Sequence, residues 1–389
     1  MDILEKKFTP PDFTSDLLKN APNVTLEEVT KEGVAPKGFY LTTHMPTYYK
    51  IDDEWQLPER TSLNCVAVVK DGKVVITELR DLQVGDQVVM TKTQDGTTGI
   101  LRFAEGFSKD VQTQLQLSVE TSNTASYEEL FELMQHEKEN GGYIVWVLGP
   151  AVVFDHDTRI GLSRLAEAGF VQSLLGGNAM ATHDLEGGYL NTALGQDIYT
   201  QISVPMGHYN HLDTLNAIRR VGSIQEFIDQ GNVKDGFIKT LKSLDVPVTL
   251  AGSIRDDGPL PEVTANVNVS LTNAKAETDK ATLIVCLATM LHSVSTAEMA
   301  SSYRIDENGD VVPVFIFSVD VTENAVNKVA AARDHIAVRT LVTNVQDFVV
   351  NAEKALIPEV LQESDQQEVE EPQFAEVKDS KEAEAKKSL

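Results

Sequence analysis

The sequence predicts an α/β fold, an open Rossmann-like parallel sheet with helices on both faces, preceded by a small β-rich domain. Three observations carry that prediction. After residue 141, continuous apolar runs recur at 143–148, 171–175, 246–251, 283–288, 314–319 and 336–342. Strands buried on both faces read this way, because helices cover each side of a parallel sheet. Helical patterns lie between or after the runs, at 212–221, 224–230, 325–332 and 345–356, and this alternation argues for a doubly wound sheet. Before residue 104 the chain carries short β-branched runs broken by turn signals instead, as a small β-rich domain does.

Each element follows from its residues. Residues 1–37 form a polar N-terminal extension, with a short helix predicted over 14–20. Residues 38–125 make the β-rich first subdomain, with strands at 39–43, 63–69, 74–77 and 87–90 punctuated by Asp71-Gly72, Val84-Gly85-Asp86 and Asp95-Gly96. A helix is predicted over 126–139, with Ser126 as N-cap, Glu129 placed for a capping box, and Leu130, Leu133 and Met134 on one stripe. Residues 126–356 form the Rossmann-like domain, whose right-handed crossovers set the strand C-termini on one edge, where ligands bind. Residues 357–389 form an acidic tail with few large apolar side chains; ordering it would gain little burial, so disorder is expected.

A length of 389 residues suffices for two domains and a tail, since a single core rarely grows past about 250–300 residues. A hydrophobic content of 42% and a mean hydropathy of -0.17 suit a soluble globular protein. No apolar run approaches the ~20 residues of a membrane helix, and the polar start at Met1-Asp2-Ile3-Leu4-Glu5-Lys6-Lys7 offers no secretory signal. Cys65 and Cys286 have no near neighbour in sequence for a metal or redox pair, which points to the reducing cytoplasm. A formal net charge of -26 repels phosphate backbones, so nucleic acid is excluded as a partner. The expected partner is a small molecule, and a homo-oligomer is compatible with the sequence.

There is no G-x-G-x-x-G, P-loop, H-E-x-x-H or G-x-S-x-G signature. Chemistry falls instead to polar, Gly-rich segments at the C-terminal ends of the apolar runs. The first runs from Gly176-Gly177-Asn178-Ala179 through His183-Asp184 to Glu186. Its small residues would let backbone N–H groups approach a phosphate or ribose at a helix start; the alternative is a tight turn capped by Asn178. The second, Gly252-Ser253-Ile254-Arg255-Asp256-Asp257-Gly258-Pro259, sets an Arg beside two carboxylates. Asp256 or Asp257 could accept from ribose hydroxyls or a substrate amine and Arg255 could hold a carboxylate, unless the loop is tied by its own Arg–Asp pairing. The third, Thr289-Met290-Leu291-His292, offers His292 as a donor to cofactor or substrate, or as a structural histidine. Asp320 and the Asn344-Val345 pair end the later strands; an acidic residue there takes ribose hydroxyls or caps a helix. His208 and His211, three apart, would share a helix face, but no third ligand lies near in sequence, so no metal is expected and pocket lining is preferred.

These segments together resemble one family. The strings L-x-G-N-A-x-A-x-H-D-x-E from Leu175, G-H-x-x-H-L-x-x-x-N-x-I-R-x-x-G-S-I from Gly207, L-A-G-S-I-R-D-D-G-P-L-P from Leu250 and L-A-T-M-L-H-S from Leu287 are similar in order and spacing to those of the NAD-dependent ornithine cyclodeaminases. That family is archaeal, also forms the C-terminal part of cyanobacterial arginine dihydrolases, and is related to lysine-oxoglutarate reductase and saccharopine dehydrogenase (LOR/SDH). The resemblance implies a β-rich subdomain and a Rossmann-like domain akin to deoxyhypusine synthase. It implies NAD contacts at Asn178, Ala179, Asp257, Thr289, Met290, Leu291, His292, Asp320, Asn344 and Val345. The implied reaction takes hydride from the α-carbon of ornithine onto bound NAD; the δ-amine then attacks the imine, ammonia departs, and hydride returns to give proline. His183, Asp184 and Asp256 are the candidate acid/base groups, because an amine must lose its proton to attack. The chain departs from the family at Asn191-Thr192-Ala193-Leu194-Gly195, at Asn210, at Thr322-Glu323 and at Asn344. Two rival readings therefore stand beside the lyase: an NAD-binding sensor or partner protein without turnover, and an amino-acid oxidoreductase that releases NADH.

Overall fold

The structure, a computed structural model, describes residues 8–111, 124–254 and 258–358. The predicted tail lies outside these residues from 359 onward. All six apolar runs become strands of one sheet: β1 (Ile144–Leu148), β2 (Ser173–Gly177), β3 (Val248–Ala251), β4 (Leu283–Leu287), β5 (Phe315–Asp320) and β6 (Val338–Val342). Their spatial order is β3-β2-β1-β4-β5-β6, and every neighbouring pair is parallel. This is the doubly wound order, with the reversal of direction between β1 and β4.

The pleat sorts the core into two layers, because successive side chains point to opposite faces. Ile144, Trp146 and Leu148 of β1 join Leu283, Val285 and Leu287 of β4 under the helices His156–Glu167 and Val345–Leu356. Val145, Val147, Ile284 and Cys286 face the opposite way, toward Ala297 of helix Met290–Met299 and Val329 and Ala330 of helix Glu323–Ala332. Both faces are dry, which is why these strands show no alternation in sequence.

The β-rich part forms a four-stranded sheet in the order Leu26–Glu28, Gln87–Val89, Val66–Lys70, Lys73–Thr77, and a three-stranded sheet of Glu54–Gln56, Thr47–Ile51 and Ile100–Arg102. The run at 39–43, expected as a strand, makes only the isolated bridges Phe39–Met90 and Leu41–Val66. Thr47–Ile51 is a strand that the sequence pattern does not announce. All five of its residues are buried, Lys50 included, whose Nζ donates to the carbonyl of Ala21 at 2.7 Å; a strand covered on both sides carries no period-two signal.

One helix start differs from expectation. The helix runs Thr124–Glu139, so Ser126 lies inside it and is no N-cap. Glu129 turns from a capping role to a two-pronged pair with Arg339 of β6, at 2.9 and 3.0 Å.

The β-rich part docks on the N-terminal side of the parallel strands. Thr61 N–H donates to Ser301 Oγ, Ser62 Oγ to the carbonyl of Met299, Tyr303 Oη to the carbonyl of Pro58, and Arg60 to the carbonyl of Ala281. The opposite, C-terminal edge of the sheet carries the candidate site.

Candidate active site

Parallel pairing brings the C-terminal ends of all six strands to one edge. Gly149 follows β1, Asn178 opens the helix Asn178–Leu190 after β2, Gly252 follows β3, and Thr289 precedes the helix Met290–Met299 after β4. Asp320 ends β5, and Asn344 precedes the helix Val345–Leu356 after β6.

The crevice where the strand order reverses is built from small residues. A Cβ added at Gly149 would lie 1.9 Å from the carbonyl oxygen of Ala288. Ala288 itself takes a φ of 51°, a left-handed conformation that costs an alanine energy and gathers at functional sites. A Cβ at Gly177 would lie 3.1 Å from Cε1 of His292. His292 therefore reaches from the β4 side across β1 to the end of β2. Burial lowers its pKa from the ordinary histidine value, which favours the neutral ring.

Asn178 is buried, but it is not the helix cap; Gly177 holds that position. Its Oδ1 accepts from the N–H of Leu260 at 2.9 Å, tying the loop after β3 to the end of β2. Ala179 is exposed beside it. Thr289, Met290 and Leu291 flank His292, and the Leu291 side chain is 75% exposed at the mouth of the cleft, with Ile254 and Val321 also exposed in the edge loops. Arg255, Asp256 and Asp257 lie outside the described residues.

The later strand ends are more distant from this centre. Asp320 Oδ1 accepts from the N–H and hydroxyl of Thr322, both at 3.0 Å, and Thr322 rather than Asp320 caps the following helix. Asn344 is exposed, and its side chain caps the helix Val345–Leu356 through the N–H of Gln346 at 2.8 Å. The two ends are joined by the N–H of Thr343 donating to the carbonyl of Asp320. Val345 is buried under that helix start.

His183 and Asp184, adjacent in sequence, part company because successive helix positions point about 100° apart. His183 faces Phe154 of the loop after β1, with ring centroids 5.5 Å apart, and His211, at 6.0 Å. Its Nδ1 lies 2.8 Å from Oε2 of Glu186. Asp184 is only 1% exposed and turns into the frame. It accepts from Arg159 Nε at 2.9 Å and from the N–H groups of Phe237 and Ile238 at 3.2 and 2.7 Å. Arg159 also pairs with Asp235 at 2.8 Å; burial opposes its charge, but the two carboxylates hold its pKa above the ordinary value. Asp184, expected as an acid/base group, is thus occupied as a buried anchor. His208 and His211 do not share a helix face either: His208 lies tilted against Tyr209 in the turn Gly207–Tyr209, before the helix that carries His211. Among the described residues no group of three or more His, Cys, Asp and Glu is arranged to hold a metal.

Sequence reasoning assigns no role to Glu186, Thr192, Gly149 or Phe154. The His183–Glu186 spacing of three is a readable signal, since it places both on one helix face. Thr192 and Phe154 reach the site only through tertiary contact and leave no local mark.

The chain is similar to known proteins. Residues 128–351 match the family described as arginine dihydrolase ArgZ-like, C-terminal, Rossmann fold. An ornithine cyclodeaminase from Methanopyrus kandleri is 36% identical over 291 residues, covering 72% of this chain and 68% of that protein. A conserved LOR/SDH protein from Methanococcus maripaludis has a similar structure, with a TM-score of 0.77, 29% identity, and coverage of 88% of this chain and 99% of that one. The ternary complex of AgrE with ornithine and NAD+ matches with a TM-score of 0.56 and 29% identity over 90% of this chain. AgrE is the bifunctional arginine dihydrolase/ornithine cyclodeaminase of Nostoc sp., and this chain spans 48% of the AgrE chain in that complex. Among the described residues, no helix is long and apolar enough to cross a membrane.

Proposed function

The chain belongs to the ornithine cyclodeaminase family with the ArgZ-like C-terminal Rossmann fold, and from that premise we propose that it is an NAD-dependent enzyme converting ornithine, or a related amino acid, to proline and ammonia. The observation that supports this reading best is the meeting of Gly149, Gly177, Asn178 and His292 at the reversal of strand order, with the His183–Glu186 pair on the helix leaving it.

The cleft suits a dinucleotide on its own terms. Gly149 and Gly177 let the strand ends pack against Ala288 and His292, which an added Cβ would approach to 1.9 and 3.1 Å, and so keep bare backbone at the reversal of strand order, where an open α/β sheet binds its ligand. Asn178 and Ala179, Asp257, the run Thr289, Met290, Leu291 and His292, then Asp320, Asn344 and Val345 are the residues that would hold NAD. Bound NAD supplies a reversible hydride acceptor for the substrate α-carbon. The protein's own task is orientation and proton handling. His183 takes the proton that a substrate amine must lose before it attacks, and Asp256 is assigned to the other amine. The apolar mouth at Ile254, Leu291 and Val321 would be covered by the bound molecules.

The test is direct. Purified protein given ornithine and NAD is expected to release ammonia and proline in equal amounts with no net gain in NADH absorbance. Steady accumulation of NADH would instead mark an oxidoreductase. Tight NAD binding with every amino acid unchanged would mark a sensor or partner protein.

A further inference from the structure

We propose that Glu186 is the positioning residue of this site: it fixes His183 in the tautomer whose Nε2 carries the lone pair, and Thr192 and Asn210 fix Glu186 in turn. The inference rests on the reading of His183 as the group that takes the substrate's proton.

The hydrogen bonds run in one direction only. Asn210 Nδ2, which can only donate, gives its hydrogen to Thr192 Oγ1 at 2.8 Å. With that lone pair used, the Thr192 hydroxyl hydrogen is directed to Glu186 Oε1, at 2.7 Å. The other oxygen, Oε2, then faces His183 Nδ1 at 2.8 Å. A carboxylate accepts and does not donate, so Nδ1 carries the hydrogen and Nε2 is left as the base.

Burial makes the arrangement costly to keep for packing alone. Glu186 is 0% exposed, and a carboxylate in such a place must be paired or hydrogen-bonded. The nearby cation Arg159 is already engaged by Asp184 and Asp235. Glu186 pairs instead with His183, and that ion pair is complete only when the imidazole is protonated. Glu186 is thus placed to stabilise the imidazolium that forms when Nε2 accepts a proton. No covalent bond changes within the relay; one proton arrives at Nε2 and leaves from it.

Three variants and one spectrum test this. Glu186→Gln is expected to lower kcat on the order of ten-thousand-fold, in line with the carboxylate-to-amide change behind a catalytic histidine that leaves it in the wrong tautomer. KM and NAD affinity should change by no more than about two-fold, since Glu186 is fully buried behind His183. Thr192→Val should lower kcat about ten-fold. Nitrogen-15 NMR of histidine-labelled protein should show His183 protonated at Nδ1 in the natural chain and at Nε2 in Glu186→Gln. If Glu186→Gln keeps its kcat while His183→Gln loses it, the positioning role is overturned and His183 stands. If His183→Gln keeps its kcat, the acid/base reading itself fails. Should Glu186→Gln not fold, Thr192→Val and the spectrum of the natural chain decide: an Nε2-protonated His183 in that spectrum overturns the proposal.

Discussion

At Gly149 a single added methyl group would sit on the carbonyl oxygen of Ala288. That oxygen belongs to backbone already held at a positive φ, so it cannot swing aside as a side chain would. Gly149→Ala is expected to destabilise the protein by about 1–3 kcal/mol and to abolish NAD binding; a denaturant midpoint with a binding titration checks both. Asn178 makes a gentler case. Asn178→Ala leaves the N–H of Leu260 without its acceptor, at a cost of about 1–3 kcal/mol, whereas Asn178→Asp retains an oxygen there. The alanine variant should weaken NAD binding more than the aspartate variant, and equal effects would detach the loop after β3 from the cofactor. Residues of this kind are only half legible in sequence. The Gly-rich run around Asn178 announces itself by composition, but Gly149, a lone glycine after an apolar run, shows its meaning only once Ala288 lies opposite.

Among elements, the six buried strands are legible because a continuous apolar run too short to span a membrane is buried on every side, and a parallel sheet buries its strands in that way. The helix leaving β2 is legible in position but not in the division of labour along it. His183 and Asp184 read as a pair in sequence, and the helical twist gives one to the site and the other to Arg159. That buried knot joins the helices His156–Glu167, Asn178–Leu190 and Phe237–Ser243. Gly236, at φ 124°, leads into the last of them, where a Cβ would strike Arg159. Arg159→Leu would strand Asp184 as a buried, uncompensated charge and should cost about 3–5 kcal/mol, read as a loss in thermal midpoint. Loss of activity with an unchanged midpoint would instead place Arg159 in the chemistry. The short strands Leu26–Glu28 and Thr47–Ile51 escape sequence reasoning because one is only three residues long and the other, though buried throughout, carries Thr47 and Lys50 and so forms no continuous apolar run.

Across the whole molecule, the β-rich part grips the N-terminal side of the sheet and leaves the other edge for ligands. His44 sits in that junction, fully buried, with its N–H donating to Asp334 and its carbonyl accepting from Ser302. Burial, and then the Arg333 guanidinium beside it, hold its pKa well below the ordinary histidine value of 6.5. The folded state therefore refuses a proton that the unfolded chain accepts. Stability should be full above about pH 6.5 and fall as the pH drops below it. Thermal midpoints across that range check the direction, and His44→Leu should flatten the acid side; a midpoint that rises on acidification would contradict the account. Both cysteines are buried and unpaired, and burial pushes the Cys286 thiol up to about 12, so alkylating reagents should leave the native protein alone.

The central claim is that the C-terminal edge of the parallel sheet cradles NAD where β1 and β4 diverge. A crystal structure of the protein with NAD tests it most directly. The account predicts the dinucleotide lying over Gly149 and Gly177, touching Asn178 and the run from Thr289 to His292, with its nicotinamide ring on the His183 side. Density for NAD anywhere else, with that crevice filled by protein or solvent alone, would contradict it.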